Sequence, residues 1–384
     1  MTTYIQRGKI PRRRHVVYRN EKGEHQYEEH ISRLGFSDIY SNAYHIHMPT
    51  RVARVGEFRP IHLEAIEGDH RHRHLKTFGL KPHGDWVSGR TAMLFNGDLI
   101  MGTISPVKGP GKAFYKNATA DEVLFVHRGK GLLESMFGNL EFGPGDYIIV
   151  PRGVIYTMRF DSDENRVFFV ESSGPVDTPH HYRNQYGQLL EHAPYCERDI
   201  RLPEFQPPVD KVGEFPLHIR LHHGVQEYVW GHHPFDLVGY DGYYYPWIFN
   251  IRDYMPKVGQ VHLPPPTHLT FTGPGYVICS FCPRPYDFDP NAVPIPYAHS
   301  NIDSDEVLYY VDGNFMSRKG IEEGSITLHP YGIPHGPQPG LLEKSLSAKE
   351  TGELAVMVDT FRPLKVAKVT EKIDDPGYPY SWQY

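Results

Sequence analysis

Hydrophobic positions along this chain occur in short runs that glycine and proline interrupt every few residues. One group of runs reads DEVLFVH, then a glycine turn in HRGKG, then GDYIIVPRGVIY. Short runs rich in Val, Ile, Tyr and Phe with glycine turns between them are typical of antiparallel strands joined by hairpins. The pattern therefore predicts a mainly β fold with few short helices.

The same plan occurs a second time further along the chain. Residues 115–124 align without gaps on residues 299–308, and Asn, Asp, Glu, Val and Leu coincide. Six residues separate the shared glutamate from a glycine in each copy, Gly129 or Gly313, as expected for a hairpin turn that needs positive φ. A duplicated unit of this kind predicts two tandem antiparallel β-barrels.

The second part of each copy also matches. Residues 145–156, GDYIIVPRGVIY, pair with residues 324–335, GSITLHPYGIPH, and the two segments share a Pro-x-Gly turn. Between the copies lies a stretch rich in proline and charge, roughly residues 176–225, which we interpret as linker and interdomain packing. We therefore predict a first domain over residues 1–210 and a second over residues 211–384.

The copies differ at three positions that a superposition of the barrels would bring together. The first copy has two tyrosines and a glutamate there, and the second has two histidines and a glutamate: Tyr115, Glu122 and Tyr156 against His299, Glu306 and His335. Two imidazoles and a carboxylate suit Fe(II) and leave positions open for substrate and dioxygen, although Zn or Mn would also bind. The first copy would have to deprotonate two phenols with pKa values of about 10, so we expect it to be metal-free and structural.

Histidine alone is a weak signal of a metal site. A structural role is the default for any single histidine among the 24 in this chain. The gap-free match of three ligand-type residues onto a duplicated scaffold, at hairpin spacings that bring strands together, favours a metal site for the three as a set.

Charge and composition narrow the class of partner. Lys plus Arg number 40 against 46 Asp plus Glu, a formal net charge of −6, which argues against a nucleic-acid surface or a polybasic membrane patch. No apolar run has the length of a membrane helix and the N-terminus lacks a signal-peptide pattern, so we expect a soluble cytoplasmic protein that acts on a small molecule. We expect the three cysteines to be buried and unreactive, and the basic run at residues 12–15 to be a solvated face.

The motifs around Glu306 and His335 resemble the two conserved motifs of the cupin superfamily, although Tyr156 departs from the second motif in the first copy. More narrowly, the chain resembles the homogentisate 1,2-dioxygenase family over most of its length. The resemblance rests on SDIYSNAYH, FYKNATADEVLFVHRGKG, GPGDYIIVPRGVIY, VESSGPVD, YAHSNIDSDEVLYYVDG and GIPHGPQPG. It implies two tandem cupin-type barrels, a bicupin.

The resemblance also implies a function. In that family iron is held by His, Glu and His, which match His299, Glu306 and His335, and a further histidine serves as acid and base toward a substrate hydroxyl. His262 in VGQVHLPPPTH is the counterpart that we favour, with His268 as the alternative. The implied reaction is cleavage of homogentisate by dioxygen to maleylacetoacetate, in tyrosine and phenylalanine breakdown, by a homo-oligomer, a trimer or hexamer.

Two departures from the family pattern bear on the substrate. The spacing from His299 to Glu306 is one residue longer than in the eukaryotic type, and Phe315 stands where that type has a substrate-contacting tyrosine. A lost hydroxyl can redirect specificity, because a site built to hydrogen-bond a substituent discriminates steeply against analogues without it. Candidates for holding a substrate carboxylate instead are Arg284, Tyr309 and Tyr310, and Arg284 can do so in bidentate fashion.

Three other functions stay open at this point. A related dioxygenase could act on gentisate, hydroquinone or another dihydroxylated aromatic. A bicupin could instead bind a metal or small ligand without turnover. A metal-dependent isomerase would use Zn or Mn and would not need oxygen.

Overall fold

The computed structural model of the protein describes residues 3–109, 111–313, 315 and 318–383. Strands dominate, and the one α-helix within these described residues is Leu341–Ser345. The remaining helical segments are short 3₁₀ turns: Thr77–Gly79, His180–Tyr182, Glu197–Asp199, Ile251–Asp253, Pro265–His268, Lys368–Lys372 and Tyr378–Tyr380. The predicted mainly β fold with few short helices is confirmed.

The part of the chain that the structure describes contains twenty-eight strands, numbered in chain order. Those of the first half are β1 Ile5–Gly8, β2 Tyr18–Arg19, β3 His25–Ser32, β4 Tyr40–His45, β5 Val52–Pro60, β6 Arg73–Lys76, β7 Arg90–Phe95, β8 Leu99–Ile104, β9 Phe114–Asn117, β10 Asp121–Arg128, β11 Gly131–Ser135, β12 Gly138–Phe142, β13 Asp146–Val150, β14 Tyr156–Phe160, β15 Arg166–Ser172 and β16 Ile200–Arg201. Those of the second half are β17 Val212–Leu221, β18 Gly224–His232, β19 Leu237–Gly242, β20 Trp247–Asn250, β21 Leu269–Gly273, β22 Tyr276–Phe281, β23 Arg284–Pro285, β24 Asp305–Asp312, β25 Ser325–His329, β26 Glu350–Thr351, β27 Leu354–Thr360 and β28 Lys365–Val366.

The central strands of the two copies pair in the same way, although the described residues of the second copy form no counterpart of the β11–β12 hairpin. In an eight-stranded sheet, β10 lies between β13 and β15, with Glu122 opposite Val150. In a six-stranded sheet, β24 lies between β25 and β27, with Glu306 opposite His329. The hairpin glycines that follow, Gly129 and Gly313, both have positive φ. The duplicated unit therefore exists at the level of strand register.

Sheet pairing crosses residue 210 in both directions. β17 pairs with β9, β18 with β5, β19 with β4 and β20 with β13, so strands up to Asn250 complete sheets of the first half. In return β6 pairs with β25 at the edge of the six-stranded sheet. β17 also forms within the stretch interpreted as linker. The division at residue 210 stays a prediction, since it separates the two copies in sequence while hydrogen bonds connect strands across it.

One of the hydrophobic clusters spans the two halves. Buried side chains of β10 and β15 pack in the same cluster as those of β24 and β25. At its centre the ring of Tyr309 stacks on Phe168 with centroids 4.8 Å apart, and its hydroxyl is 2.7 Å from Nδ1 of His127. Tyr309, a candidate for holding a substrate carboxylate, therefore lies between the halves.

Two of the cysteines are buried as expected, Cys279 and Cys282, while Cys196 is partly exposed. Burial raises the pKa of the Cys282 thiol to about 12, which keeps it protonated at neutral pH. No helix in the described ranges is long and apolar enough to cross a membrane.

Candidate metal centre

The two histidines of the predicted triad are placed by a backbone bridge between the segments that carry them. The amide of His299 donates to the carbonyl of His335 over 2.8 Å, and the reverse bond is 2.9 Å. A turn at Gly332, with φ of 73°, returns the chain from β25 toward this bridge, and its amide donates to the carbonyl of Asn301 over 2.7 Å. β24 brings Glu306 alongside.

The structure brings the three predicted side chains together. Nε2 of His299 is 3.6 Å from one carboxylate oxygen of Glu306, and Nε2 of His335 is 3.4 Å from the other. One ligand atom from each residue lies within 4.8 Å of the other two. Glu306 and His335 are buried, and the side chain of His299 is 27% exposed, so the cluster is open on one side.

The chemistry of the cluster fits a divalent metal ion. Nε2 of His335 is buried and has no hydrogen-bond partner in the described ranges, as expected for a ligand atom. Burial alone would raise the pKa of Glu306, but its contacts with His299, His329 and His335 hold that pKa well below its usual value. The carboxylate is therefore ionised at neutral pH, and Fe(II), Zn or Mn could each bind it together with two imidazoles.

A third histidine, His329, lies within hydrogen-bond distance of the Glu306 carboxylate. Nδ1 of His329 is 2.7 Å from Glu306, and its Nε2 is 3.1 Å from the hydroxyl of Tyr378. Burial lowers the pKa of His329 to about 3, so the ring is neutral and its one N–H can donate to the carboxylate. Comparison of the two copies could have identified this residue, because His329 stands at the strand position where the first copy has the apolar Val150.

The C-terminal segment closes the same side of the cluster. The indole N–H of Trp382 donates to the carbonyl of Gly336 over 3.0 Å, and the amide of Gln338 donates to Ser381 over 2.6 Å. From the first half, His72 lies edge-on to His335 with ring centroids 6.1 Å apart. Three distant parts of the chain therefore build one wall, which sequence reasoning did not identify.

Replacing Tyr378 with Phe should weaken metal binding by about tenfold, the lower end of the effect of outer hydrogen-bond partners of metal ligands. The reason is that Phe cannot hydrogen-bond to His329, which then holds Glu306 less firmly. Titration of the metal-free protein with metal measures the affinity. Tyr380→Phe is the control, because the Tyr380 side chain is 65% exposed. Equal affinities in both variants would contradict the expected role.

A cavity reaches the cluster at the partly exposed side chain of His299. Its charged lining residues are Arg284, Arg318 and Glu353, beside His299 and Glu306. Apolar side chains form much of the rest: Pro265, Phe281, Pro294, Ile295, Pro296, Leu308, Pro337 and Met357. A flat apolar ring with an anionic group would match these walls and the two guanidinium groups. Of the charged residues, sequence reasoning identified Arg284 and missed Arg318 and Glu353.

The two candidate acid–base histidines lie beside this cavity. His262 and His268 line a neighbouring cavity, which shares Arg284 with the first. The ring of His262 contacts Tyr297 edge-on with centroids 5.1 Å apart, and burial lowers its pKa. His268 is buried against Phe281, and burial lowers its pKa to about 3. The catalytic role of either histidine stays a prediction.

The other two candidate substrate contacts pack in an apolar cluster of the second half. The rings of Phe315 and Tyr310 pack edge to face with centroids 4.7 Å apart in one apolar cluster. The hydroxyl of Tyr310 is 3.3 Å from that of Thr327. Neither side chain lines the cavity at the metal cluster. Their contact with substrate stays a prediction.

In the first half, the place that corresponds to the His-Glu-His cluster of the second half is occupied by the side chain of Arg90. The guanidinium of Arg90 contacts Glu122 and donates to Glu171 over 2.8 Å. The hydroxyls of Tyr156 and Tyr115 donate to the same Glu122 carboxylate over 2.6 and 3.3 Å. Burial raises the pKa of both phenols well above the ordinary value. The buried guanidinium group of Arg90 thus neutralises the charge of the Glu122 carboxylate.

Comparison with known proteins gives four findings. Residues 107–251 match the family model described as homogentisate 1,2-dioxygenase N-terminal. A protein of Saccharolobus solfataricus named "Putative dioxygenase" is 40% identical over 385 residues, 100% of this chain and 99% of that protein. Homogentisate 1,2-dioxygenase of Emericella nidulans is 26% identical over 340 residues, which are 80% of this chain and 73% of that protein. A cupin 2 conserved barrel domain protein from Leptotrichia buccalis aligns with a TM-score of 0.35 and 10% identity over 77% of this chain and 98% of its own.

Two copies of one β unit, with a His-Glu-His cluster in the second, define a bicupin. The cluster can hold a metal ion, and a cavity leads to it. The 40% identity over the full length of both chains places this chain in one family with the Saccharolobus solfataricus dioxygenase. The resemblance to the homogentisate 1,2-dioxygenase family that the motifs indicated is confirmed by the match of residues 107–251 to its N-terminal model and by the Emericella nidulans relative.

Proposed function

We propose that this protein is an Fe(II)-dependent ring-cleaving dioxygenase that acts on a dihydroxylated aromatic acid, with homogentisate as the first candidate. The observation that carries the proposal is the convergence of His299, Glu306 and His335 at the end of a cavity that also presents two guanidinium groups. The product from homogentisate would be maleylacetoacetate, an intermediate of tyrosine and phenylalanine breakdown. A cytoplasmic location and a trimer or hexamer stay predictions.

In the proposed reaction, different residues would bind the metal, bind the substrate and transfer the proton. His299, Glu306 and His335 would hold iron from one side, and bound Fe(II) would supply the site and the electron path that let substrate and dioxygen react. The apolar walls would pack against the aromatic ring. Arg284 and Arg318 would bind the carboxylate of the side chain through charge-assisted hydrogen bonds. For the acid–base role the family resemblance favours His262.

Oxygen consumption tests this proposal most directly. The protein is loaded with Fe(II) under anaerobic conditions and mixed with homogentisate, gentisate or hydroquinone, while ultraviolet absorbance follows ring opening. Uptake with homogentisate that disappears in Glu306→Ala and persists in Glu343→Ala, an exposed helix position, would support it. Uptake with another aromatic alone would change the substrate. No uptake despite bound iron would favour a binding protein without turnover.

Arg284→Met should raise the KM for a carboxylate-bearing aromatic by about tenfold or more, since a hydrogen bond to a charged group contributes about 1.5–3 kcal/mol. The KM for hydroquinone, which has no carboxylate, should change little. Steady-state oxygen uptake with both compounds measures the difference. Arg362→Met is the control because that side chain is 69% exposed. An equal rise for both compounds would contradict carboxylate binding by Arg284.

A further inference from the structure

Glu353 is an acidic side chain inside the cavity to which neither the sequence motifs nor the family resemblance assigned a role. It lies between β26 and β27 and lines the same cavity as His299 and Glu306. Its backbone is fixed locally, because its amide donates to the hydroxyl of Thr351 over 3.1 Å. β27 then pairs with β24, the strand that carries Glu306.

Gly313 packs closely against the segment that carries Glu353. The Cα of Gly313 faces the carbonyl of Gly352 so closely that an added Cβ would lie 2.0 Å from that oxygen. Leu354 is held in register with Asp312 on β24. The Glu353 carboxylate is therefore presented to the cavity from a fixed backbone, as a positioned catalytic group requires.

The charges that face Glu353 come from several elements. Arg284 on β23 and Arg318, which precedes β25, both favour its ionised form, and the nearby phenols are those of Tyr286 and Tyr310. Burial is the larger influence and raises the pKa of Glu353. No side chain of the described ranges donates a hydrogen bond to its carboxylate. A partly buried carboxylate whose pKa is raised and whose acceptor positions are open is a stronger base than a solvated carboxylate and is suited to accept a proton from a ligand in the cavity.

We infer that Glu353 is a catalytic residue that accepts the proton of the substrate hydroxyl that does not bind the metal. The inference rests on the proposed function. In this step the O–H bond of the substrate breaks, an O–H bond forms on Glu353, and the electron pair remains on the substrate oxygen. The ring becomes more electron-rich, and no oxidant or reductant is consumed. Glu353 thereby takes the role that the family resemblance gives to His262, which lines the adjacent cavity.

The test compares native protein with Glu353→Gln, His262→Gln and Glu350→Gln. Glu350 is the matched control, because it is an exposed carboxylate on β26, three residues earlier. Oxygen uptake with the aromatic that native protein turns over is measured from pH 5 to 9. Bound iron, thermal midpoint and anaerobic substrate affinity are measured in parallel to separate folding and binding from chemistry.

Glu353→Gln should keep its iron and bind substrate within about threefold, yet lose about 100-fold or more in kcat, the range of general acid–base catalysis. The acidic limb of its kcat/KM profile should vanish, while Glu350→Gln keeps that limb. A retained limb in Glu353→Gln, or its loss in His262→Gln instead, would overturn the inference and leave the proposed function intact. Native protein that neither binds nor consumes any of the aromatics would overturn both.

Discussion

Glu306→Ala should release the metal and abolish oxygen uptake. Its carboxylate is the one anionic ligand of the candidate triad, and it contacts the imidazoles of His299, His329 and His335. Because loss of an outer partner of a metal ligand already costs 10–100-fold in affinity, loss of the ligand itself should cost more than about 100-fold. Iron content after dialysis against a weak chelator, measured by elemental analysis, gives the result.

The variant must fold for this test to count. Loss of Glu306 removes a buried charge rather than apolar volume, so the thermal midpoint of the metal-free protein should stay close to that of metal-free native protein. Full iron retention by folded Glu306→Ala would exclude the triad as the site. Glu343→Ala, on the exposed helix, should bind iron like native protein.

Arg90→Met should destabilise the protein by about 3–5 kcal/mol, the usual cost of removing one partner from a buried ion pair. Its guanidinium side chain is 9% exposed and contacts both Glu122 and Glu171, which are also buried. Without it, the donors that remain to Glu122 among the described residues are the phenols of Tyr115 and Tyr156. Urea unfolding followed by tryptophan fluorescence measures the loss, and Trp86 lies next to Tyr115 and Tyr156 at this position.

Two companion variants give this prediction its controls. Arg128→Met removes the solvent-accessible ion pairs of Arg128 with Glu164 and Glu323 and should cost about 1 kcal/mol or less. Adding Glu122→Gln to Arg90→Met should recover part of the stability, because an isolated buried charge is then absent. No recovery in the double variant would show that packing of the arginine, and not charge neutralisation, is what matters.

Glu122 and Glu306 show how far comparison of the two copies could go. They occupy the same register in two sheets, and the residues opposite them are Val150 and His329. Position-by-position comparison therefore predicted the triad and could have identified His329. It could not identify Arg90, because this arginine precedes the repeat and reaches Glu122 from a different strand, β7.

The sequence by itself determined the mainly β class, the duplicated strand unit and the convergence of His299, Glu306 and His335. These follow from local spacing, since hairpins bring residues together at separations that strand geometry and turns specify. Only the tertiary structure decided which strands cross residue 210, and that Tyr378, Trp382, Arg318 and Glu353 surround the cluster. These contacts join segments far apart in the chain, and their formation depends on the packing of whole sheets rather than on any periodicity within one segment.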